Sequence, residues 1–355
     1  MLLRSACGSG KGVWIMRIII DAMGGDNAPE AIVKGAVAAQ KEFGVDITLV
    51  GREEDVVRCL KDEGVSADGQ TITVVNATEV ISMEDDPSTA TRRKKDSSMT
   101  VALNLLRDGE GDAVVSAGST GALLTGATLI VKRIRGIRRA AMAPVFPNGG
   151  KGAMLIDCGA NVECTKEYLL QFAYMGSFYC EKILGIERPR VGLLNVGTEE
   201  TKGTALQKET HALLTEEAAQ GRVNFIGNIE ARELLSGAVD VLVTDGFSGN
   251  VMLKSIEGAV SFIMKNIKGL FMKNLRTKLA AVLVKNDISS LKTSLDVNEI
   301  GGTAMLGICK PVIKAHGSSD ARSIRSAIRQ AIAFRNAGVI DAIAENIDYM
   351  KISGN

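Results

Sequence analysis

Short apolar runs rich in Val and Ile recur along this chain, and most of them end at a glycine beside a hydroxyl, amide or acidic residue. Longer stretches with helical spacing separate most of the runs, and strands that alternate with helices build a mostly parallel sheet with helices on both faces. The sequence therefore predicts an α/β fold with a doubly wound, mostly parallel sheet in three α/β/α layers. The runs lie at 17–21, 47–50, 72–75, 113–116, 153–157, 191–196, 223–226, 239–244 and 311–315.

The length of the chain sets the number of domains to expect. Its 355 residues, 46% of them hydrophobic, exceed the usual size of one simple domain. We expect residues 16–355 to form one α/β domain with one or two lobes. Residues 1–15 lack periodicity and precede Met16, where the first predicted strand begins. They are predicted to be an extension outside the fold.

One pattern of apolar run and glycine loop occurs twice, as Asp-Ala-Val-Val-Ser-Ala-Gly-Ser-Thr-Gly-Ala at 112–122 and Asp-Val-Leu-Val-Thr-Asp-Gly-Phe-Ser-Gly-Asn at 240–250. Where such a loop connects a parallel strand to a helix, its free backbone N–H groups can bind an anion. The first copy presents Ser119 after its glycine, which suits phosphate. The second has Phe247 at that place, which disfavours a second anion site.

Other predicted strands also end in polar glycine loops. These are Met-Gly-Gly-Asp at 23–26, Cys-Gly-Ala-Asn at 158–161, Gly-Thr-Glu-Glu-Thr-Lys-Gly at 197–203 and His-Gly-Ser-Ser-Asp at 316–320. Any one of them could serve a turn or a helix cap alone. Because the carboxyl ends of parallel strands meet at one edge of a sheet, the set predicts a single phosphate-handling cleft.

The densest basic cluster, Arg-Arg-Lys-Lys at 92–95, directly precedes a helix predicted from about Met99 to Leu106. Cations beside capping hydroxyls suit phosphate or an acidic protein, although a solvated charge run would look the same. Lys and Arg total 42 against 41 acids, and aromatics are only 4% of the chain. Nucleic acid is therefore not an expected partner.

The segment 255–295 differs from the rest of the chain. Apolar residues at three-and-four spacing predict an amphipathic helix or helical hairpin that protrudes from the fold. No acid occurs from Gly258 to Asn286. The segment suits an anionic membrane surface, or a core or dimer helix with a solvated basic face. The basic residues are Lys265, Lys268, Lys273, Arg276, Lys278 and Lys285.

Several function classes are disfavoured. The six cysteines show no Cys-x-x-Cys spacing and there are only two histidines, so no metal site is expected. No Gly-x-Gly-x-x-Gly follows the first strand, which argues against binding of a nicotinamide cofactor. No other cofactor is indicated. Cys158 has no local base to activate it. With no secretory signal or long apolar run, the protein is expected in the cytoplasm.

Six motifs in order from about Met16 onward resemble the bacterial acyl-acyl carrier protein:phosphate acyltransferases. They are Asp-Ala-Met-Gly-Gly-Asp at 21–26, Arg-Arg-Lys-Lys-Asp-Ser-Ser-Met at 92–99, Ser-Ala-Gly-Ser-Thr-Gly-Ala at 116–122, Asp-Cys-Gly-Ala-Asn at 157–161, Asp-Gly-Phe-Ser-Gly-Asn-Val at 245–251 and Ala-His-Gly-Ser-Ser at 315–319. Pro-Ser-Thr-Ala-Thr at 87–91 departs from the family's pattern.

The resemblance implies an activity and partners. Inorganic phosphate attacks the thioester of a long-chain acyl carrier protein, and the acyl phosphate feeds a membrane glycerol-3-phosphate acyltransferase at the start of phospholipid synthesis. It also implies a homodimer, a peripheral place on the inner face of the membrane, and a fold like phosphate acetyltransferases and isopropylmalate dehydrogenases. The alternatives are a phosphate acetyl- or butyryltransferase that uses acyl-coenzyme A, an isopropylmalate-type dehydrogenase, and a non-enzymatic membrane adaptor.

Since phosphate is itself the nucleophile in that reaction, the site must hold the dianion, stabilise the oxyanion and assist the leaving thiolate. We assign phosphate binding to donors and cations, catalysis to groups at other strand ends, and contact with the carrier or membrane to basic and apolar surface residues. The predicted phosphate-binding residues are Ser119, Thr120, Gly121, Lys94, Lys95, Ser318 and Ser319. The catalytic candidates are Lys202, His316, Asn161 and Asp245, and the contact residues are Arg92, Arg93, Lys268, Leu270, Phe271 and Lys273.

Overall fold

The computed structural model describes residues 15–67, 71–285, 287–288 and 301–351. Apart from Ile15, the predicted extension at 1–15 lies outside these residues, as do 286 and 289–295 of the predicted helical segment. The described chain alternates strands and helices, which confirms the α/β fold with mostly parallel strands. Its strands form two sheets, an arrangement that the expectation of one or two lobes had left open.

The first sheet has seven strands and the second has five. The first contains β1 (Arg17–Asp21), β2 (Asp46–Gly51), β3 (Ile72–Asn76), β4 (Ala113–Ser116), β5 (Ala141–Ala143), β11 (Thr303–Leu306) and β12 (Val312–Lys314). The second contains β6 (Val145–Phe146), β7 (Ala153–Ile156), β8 (Val191–Leu194), β9 (Phe225–Ile229) and β10 (Val241–Val243).

The helices cover the faces of both sheets. They are α1 (Glu30–Phe43), α2 (Glu53–Asp62), α3 (Ala90–Arg93), α4 (Ser98–Asp108), α5 (Thr120–Gly126), α6 (Lys166–Lys182), α7 (Ala205–Ala219), α8 (Gly246–Phe271), α9 (Leu275–Leu283), α10 (Ala321–Asn336) and α11 (Val339–Glu345). A π-helical turn, Ala127–Val131, continues α5, and 3₁₀ turns occupy Ala231–Leu235 and Ile347–Met350.

Parallel pairing runs through the centre of each sheet. In the first, the strand order is β3-β2-β1-β4-β12-β11-β5, and only β11 runs antiparallel to its two neighbours. In the second, the order is β6-β7-β10-β8-β9, with β6 antiparallel to β7. The central strands are fully buried, as expected for parallel strands with helices on both faces.

Strands β5, β6 and β11 were not predicted, because none of them contains a run rich in Val and Ile that ends in a polar glycine loop. They are two to four residues long, and Pro144 alone separates β5 from β6. That proline carries the chain from one sheet to the other. The Pro144 carbonyl accepts the N–H of Leu155 at 3.0 Å. The two sheets therefore meet at a short, hydrogen-bonded joint.

The start of α8 packs directly on the loop after β7. A β-carbon built on Gly249 would collide with the backbone carbonyl oxygen of Asp157 and approach the Thr244 methyl group at 2.9 Å. Only glycine therefore lets the helix begin this close to the loop after β7. Gly258, further along the same helix, is exposed and has no atom within 4 Å of an added β-carbon.

We expect Gly249→Ala to lower the free energy of unfolding by about 1–3 kcal/mol, because the helix must move away from the Asp157 carbonyl. The matched control is Gly258→Ala, which should be neutral or stabilise by up to about 1 kcal/mol through helix propensity. Urea unfolding of both variants measures the difference. Equal effects of the two substitutions would contradict the packing described above.

Candidate active site

A cleft of about 710 Å³ opens between the two sheets. The loops that follow β1, β4 and β12 line it from the first sheet. Residues of α8 and of the loop after β7 line it from the second, and Met142 and Pro144 contribute from the joint. The carboxyl ends of parallel strands form the walls, which is where ligands bind in open α/β sheets.

The three loops of the first sheet interlock. The backbone N–H of Asp26 donates to the Gly317 carbonyl at 2.8 Å, and that of Ala315 donates to the Ser116 carbonyl at 2.9 Å. A β-carbon on Gly24 would lie 2.7 Å from the backbone nitrogen of Gly118. Glycine is thus required at this place for the first two loops to touch.

A buried carboxyl supports the loop after β4 from below. Burial raises the pKa of Asp21, which accepts the Ser116 hydroxyl at 2.6 Å and the Met23 N–H at 3.3 Å. The Ser116 oxygen in turn accepts the backbone N–H of Gly118 at 3.1 Å. This chain of hydrogen bonds fixes the start of the predicted phosphate loop.

The predicted phosphate residues at 119–121 all line the cleft. Ser119 is buried and directly precedes α5, which begins at Thr120. Gly121 lies under the ring of Pro87, because a β-carbon there would approach the proline at 2.8 Å. Hydroxyl groups at the beginning of a helix are well suited to bind an oxyanion.

Two of the other predicted phosphate and catalytic residues, His316 and Ser318, also line the cleft. The His316 Nδ1 atom lies 2.9 Å from the Ser318 hydroxyl and 3.2 Å from the Ser318 backbone nitrogen. Ser319 is buried below this loop and does not line the cleft. Among described residues, its hydroxyl has no hydrogen-bond partner.

The basic cluster at 92–95 stands beside the cleft rather than inside it. Lys94 donates to the Asp85 carboxylate at 2.6 Å and to the Val80 carbonyl at 2.8 Å. It thereby holds the segment whose residues 80–83 line one edge of the cleft. Arg92, Arg93 and Lys95 are exposed.

The structure does not bring three of the catalytic candidates into the cleft lining. Lys202 is exposed in the loop after β8, and Asp245 caps α8 by accepting the Ser248 N–H at 2.8 Å. Asn161 donates to the Ala140 carbonyl at 2.8 Å. Asn161 and Asp245 therefore hold backbone in place, and a role for Lys202 stays a prediction.

Asn161 also belongs to a hydrogen-bonded group around the buried carboxyl of Asp157. One oxygen of Asp157 accepts the N–H groups of Met142 and Ala160 at 2.9 and 3.3 Å. The other accepts the backbone and side-chain N–H groups of Asn161 at 2.7 and 3.0 Å. Burial raises the pKa of Asp157 to about 6. This carboxyl ties the first sheet to the second.

Two cations of the cleft were missed by the sequence analysis. Lys314, at the end of β12, is buried and lines the cleft, and Lys254 reaches it from α8 beside Glu257, with an ion-pair distance of 2.8 Å. Burial lowers the pKa of Lys314 to about 8. A lysine within the apolar run at 311–315 was the available signal.

Cys158 also lines the cleft, but burial raises its thiol pKa, which disfavours a nucleophilic role.

Comparison with solved structures defines the fold class. The chain resembles a phosphotransacetylase from Streptococcus pyogenes with a TM-score of 0.60 and 20% identity, over 91% of this chain and 94% of that one. It also resembles the EutD phosphotransacetylase of Staphylococcus aureus, with a TM-score of 0.57 and 16% identity, over 92% and 94% of the two chains. Identity this low establishes a shared fold and nothing further.

Comparison of sequences then gives the family. Residues 16–342 match the family described as fatty acid synthesis protein. The phosphate acyltransferase of Oceanobacillus iheyensis is 48% identical over 336 residues, which cover 94% of this chain and 98% of that protein. The chain belongs to this family of phosphate acyltransferases, which confirms the resemblance found in the sequence motifs.

The free energy of unfolding should depend on pH through the buried carboxyl of Asp157. Its pKa in the folded protein lies above the ordinary 3.8, so the native state binds the proton more tightly than the unfolded state. The stability from this group is present at low pH and is lost as the pH rises through about 6. Asp157→Asn removes the titration.

We expect the unfolding free energy of the wild type, relative to Asp157→Asn, to rise as the pH falls from about 7 to about 5. The expected slope is on the order of 1 kcal/mol per pH unit. Urea unfolding of both proteins at each pH measures it, and other carboxylates cancel in the difference. A difference that does not change with pH would rule out a raised pKa.

Proposed function

We propose that the cleft catalyses the attack of inorganic phosphate on the thioester of a long-chain acyl carrier protein. The products are acyl phosphate and the free carrier, and the acyl phosphate would feed a membrane glycerol-3-phosphate acyltransferase. The observation that supports the proposal best is the single cleft in which Ser119, Thr120 and His316 lie with two lysines. This combination can bind a phosphate dianion and stabilise an oxyanion.

The chemistry assigns the first steps to the walls of the first sheet. Ser119, Thr120 and Gly121 hold the phosphate, while Ser318 adds a further hydroxyl. Phosphate attacks the carbonyl carbon, and collapse of the tetrahedral intermediate breaks the carbon–sulfur bond. His316 stands at the cleft to donate a proton to the departing sulfur. No protein nucleophile is needed.

The opposite wall suits the acyl donor. Asn250 and Leu253 of α8, together with Met142 and Val145, line the cleft facing the phosphate loop. The apolar residues of this wall would contact the thioester arm or the acyl chain. The exposed Arg92 and Arg93 beside the cleft would meet the acidic surface of a carrier protein.

The donor is tested by incubating the protein with phosphate and either a long-chain acyl carrier protein or the matching acyl-coenzyme A. Hydroxylamine traps the acyl phosphate as a hydroxamate. Product from the carrier thioester supports the proposal, whereas product from acyl-coenzyme A alone would favour a phosphate acetyl- or butyryltransferase. If neither donor gives hydroxamate, the proposed reaction is wrong.

We expect Ser119→Ala to lower kcat/KM for phosphate by about 10-fold or more, because a buried hydroxyl that binds the anion is lost. Ser255→Ala is the matched control, since Ser255 is exposed on α8 and should leave the activity unchanged. Both variants should have the same melting temperature as the wild type. Equal activity of the two variants would remove Ser119 from the phosphate site.

We also propose that α8 and α9 contact an anionic membrane surface. Leu270 is 67% exposed, Leu275 84% and Leu283 79%. Lys268 and Lys273 accompany them, and α9 contains no buried residue. An apolar surface flanked by lysines suits anionic lipid headgroups. Within the described ranges, no helix is long and apolar enough to cross a bilayer.

A second copy of the chain could cover the same surface, as the sequence resemblance implies a homodimer. We expect Leu275→Ser to reduce sedimentation with vesicles of anionic phospholipid at low salt, because an exposed apolar anchor is lost. Leu129→Ser, at a leucine that is 54% exposed elsewhere, is the control and should sediment like the wild type. Wild-type sedimentation by Leu275→Ser, together with a shift from dimer to monomer in ultracentrifugation, would assign the surface to dimerisation.

A further inference from the structure

We infer that Lys314 binds the reacting phosphate, as the buried cation of the cleft. This assignment rests on the proposed reaction and adds to it the group that supplies the positive charge. Neither the glycine loop nor the basic cluster at 92–95 supplies a cation inside the cleft. Lys314 does so from the first sheet, beside the residues that hold the phosphate.

The strand register places Lys314 beside Ser116, directly before the loop that holds the phosphate. Lys314 is paired with Ser116 across β12 and β4, and the Ser116 hydroxyl donates to Asp21 on β1. Carboxyl, hydroxyl and ammonium groups thus follow one another at the carboxyl ends of three adjacent parallel strands. In-register residues of parallel strands point to the same face. The row lies directly below the loop that begins at Ala117.

The hydrogen bonds of Lys314 leave one donor available. Its Nζ atom donates to the Ala117 carbonyl at 3.2 Å and to the Ala315 carbonyl. An ammonium group has three N–H donors. Because the side chain also lines the cleft, the third donor can reach a bound anion.

The charge of Lys314 is not balanced by an ion pair. In the part of the chain that the structure describes, no salt bridge involves Lys314, although only 7% of the residue is exposed. Burying an unpaired charge is costly, and two backbone carbonyls could be satisfied by a neutral amide. Asp21 favours the charged form without making a direct ion pair, so a buried ammonium group that lines the cleft is suited to pair with an anionic ligand. A phosphate dianion has the charge and the oxygens to fill that place.

Kinetics of three variants separate this role from a structural one. Lys314→Gln removes the charge but keeps donors for the carbonyls, and Lys314→Arg keeps the charge. Lys310→Gln is the matched control, because Lys310 also donates to backbone carbonyls, those of Leu106 at 2.6 Å and Arg107 at 3.3 Å, but outside the cleft. The initial rates are measured as phosphate and acyl carrier protein are varied separately.

We expect Lys314→Gln to raise the KM for phosphate about 10-fold to 100-fold, since a charge-assisted hydrogen bond to the dianion is lost. The KM for the acyl donor should stay within about twofold. Lys314→Arg should keep most of the phosphate affinity, and Lys310→Gln should change only stability. An unchanged KM for phosphate in a folded Lys314→Gln variant, whatever happens to kcat, would overturn the inference.

The pH dependence of the KM for phosphate is a second test, which can be made even if Lys314→Gln does not fold. Burial lowers the pKa of Lys314 to about 8, while the charge of Asp21 acts in the opposite direction. Phosphate remains a dianion above that pH. The KM for phosphate should therefore rise above about pH 8 in the wild type and stay flat in Lys314→Arg. The other charged or titratable groups around Lys314 are Asp26, Lys254, Glu257 and His316.

The outcomes distinguish this inference from the proposed reaction. If the wild type forms no acyl phosphate, the proposed reaction is wrong. Calorimetric titration of inorganic phosphate into wild type and Lys314→Gln still tests whether Lys314 binds phosphate. Tighter binding by the wild type supports it, and equal affinities overturn it. If the wild type is active but its KM for phosphate is flat above about pH 8, the reaction stands and the assignment of Lys314 is wrong.

Discussion

The hydrogen bond from Ser116 to Asp21 is the contact on which the cleft depends. It joins the ends of β1 and β4, and the same serine oxygen accepts the N–H of Gly118. Three loops, after β1, β4 and β12, meet at this point. Because Asp21 is buried, the cost of removing it from water is offset by the hydrogen bonds that it accepts from Ser116 and Met23. The start of the phosphate loop is therefore held by hydrogen bonds between buried polar groups at the ends of two strands.

Asp21 and Lys314 are two buried ionisable groups of the cleft floor, and the carboxylate reduces the cost of burying the ammonium group. Burial disfavours the charged form of both Asp21 and Lys314, and the charge of Asp21 partly restores the protonated form of Lys314. Ser116 lies between them in the strand register. Replacing the row with apolar residues would relieve the burial cost but remove the buried cation of the cleft and leave only Lys254. The presence of this buried cation fits a site that receives an anion.

Much of the fold was predictable because nine of the twelve described strands carry an apolar run of their own. All nine predicted runs overlap observed strands, since burial on both faces leaves a continuous apolar signature. The position of the break between the two sheets was not predictable, because it depends on β5 and β6, whose five residues show no period. The phosphate loop was found from its glycine and hydroxyl residues. Lys314 was missed because the sequence does not show that the end of β12 is buried beside the cleft.

Helix α8 connects the chemistry of the cleft with the surface outside it. Near its beginning it lines the cleft with Asn250 and Lys254, and it ends at Phe271 in the exposed apolar region. At about 1.5 Å per residue, its 26 residues extend for roughly 39 Å. If the proposed reaction holds, the product carries a long acyl chain that is poorly soluble in water. A single helix that borders the cleft and also bears the apolar surface gives such a product a short route to lipid.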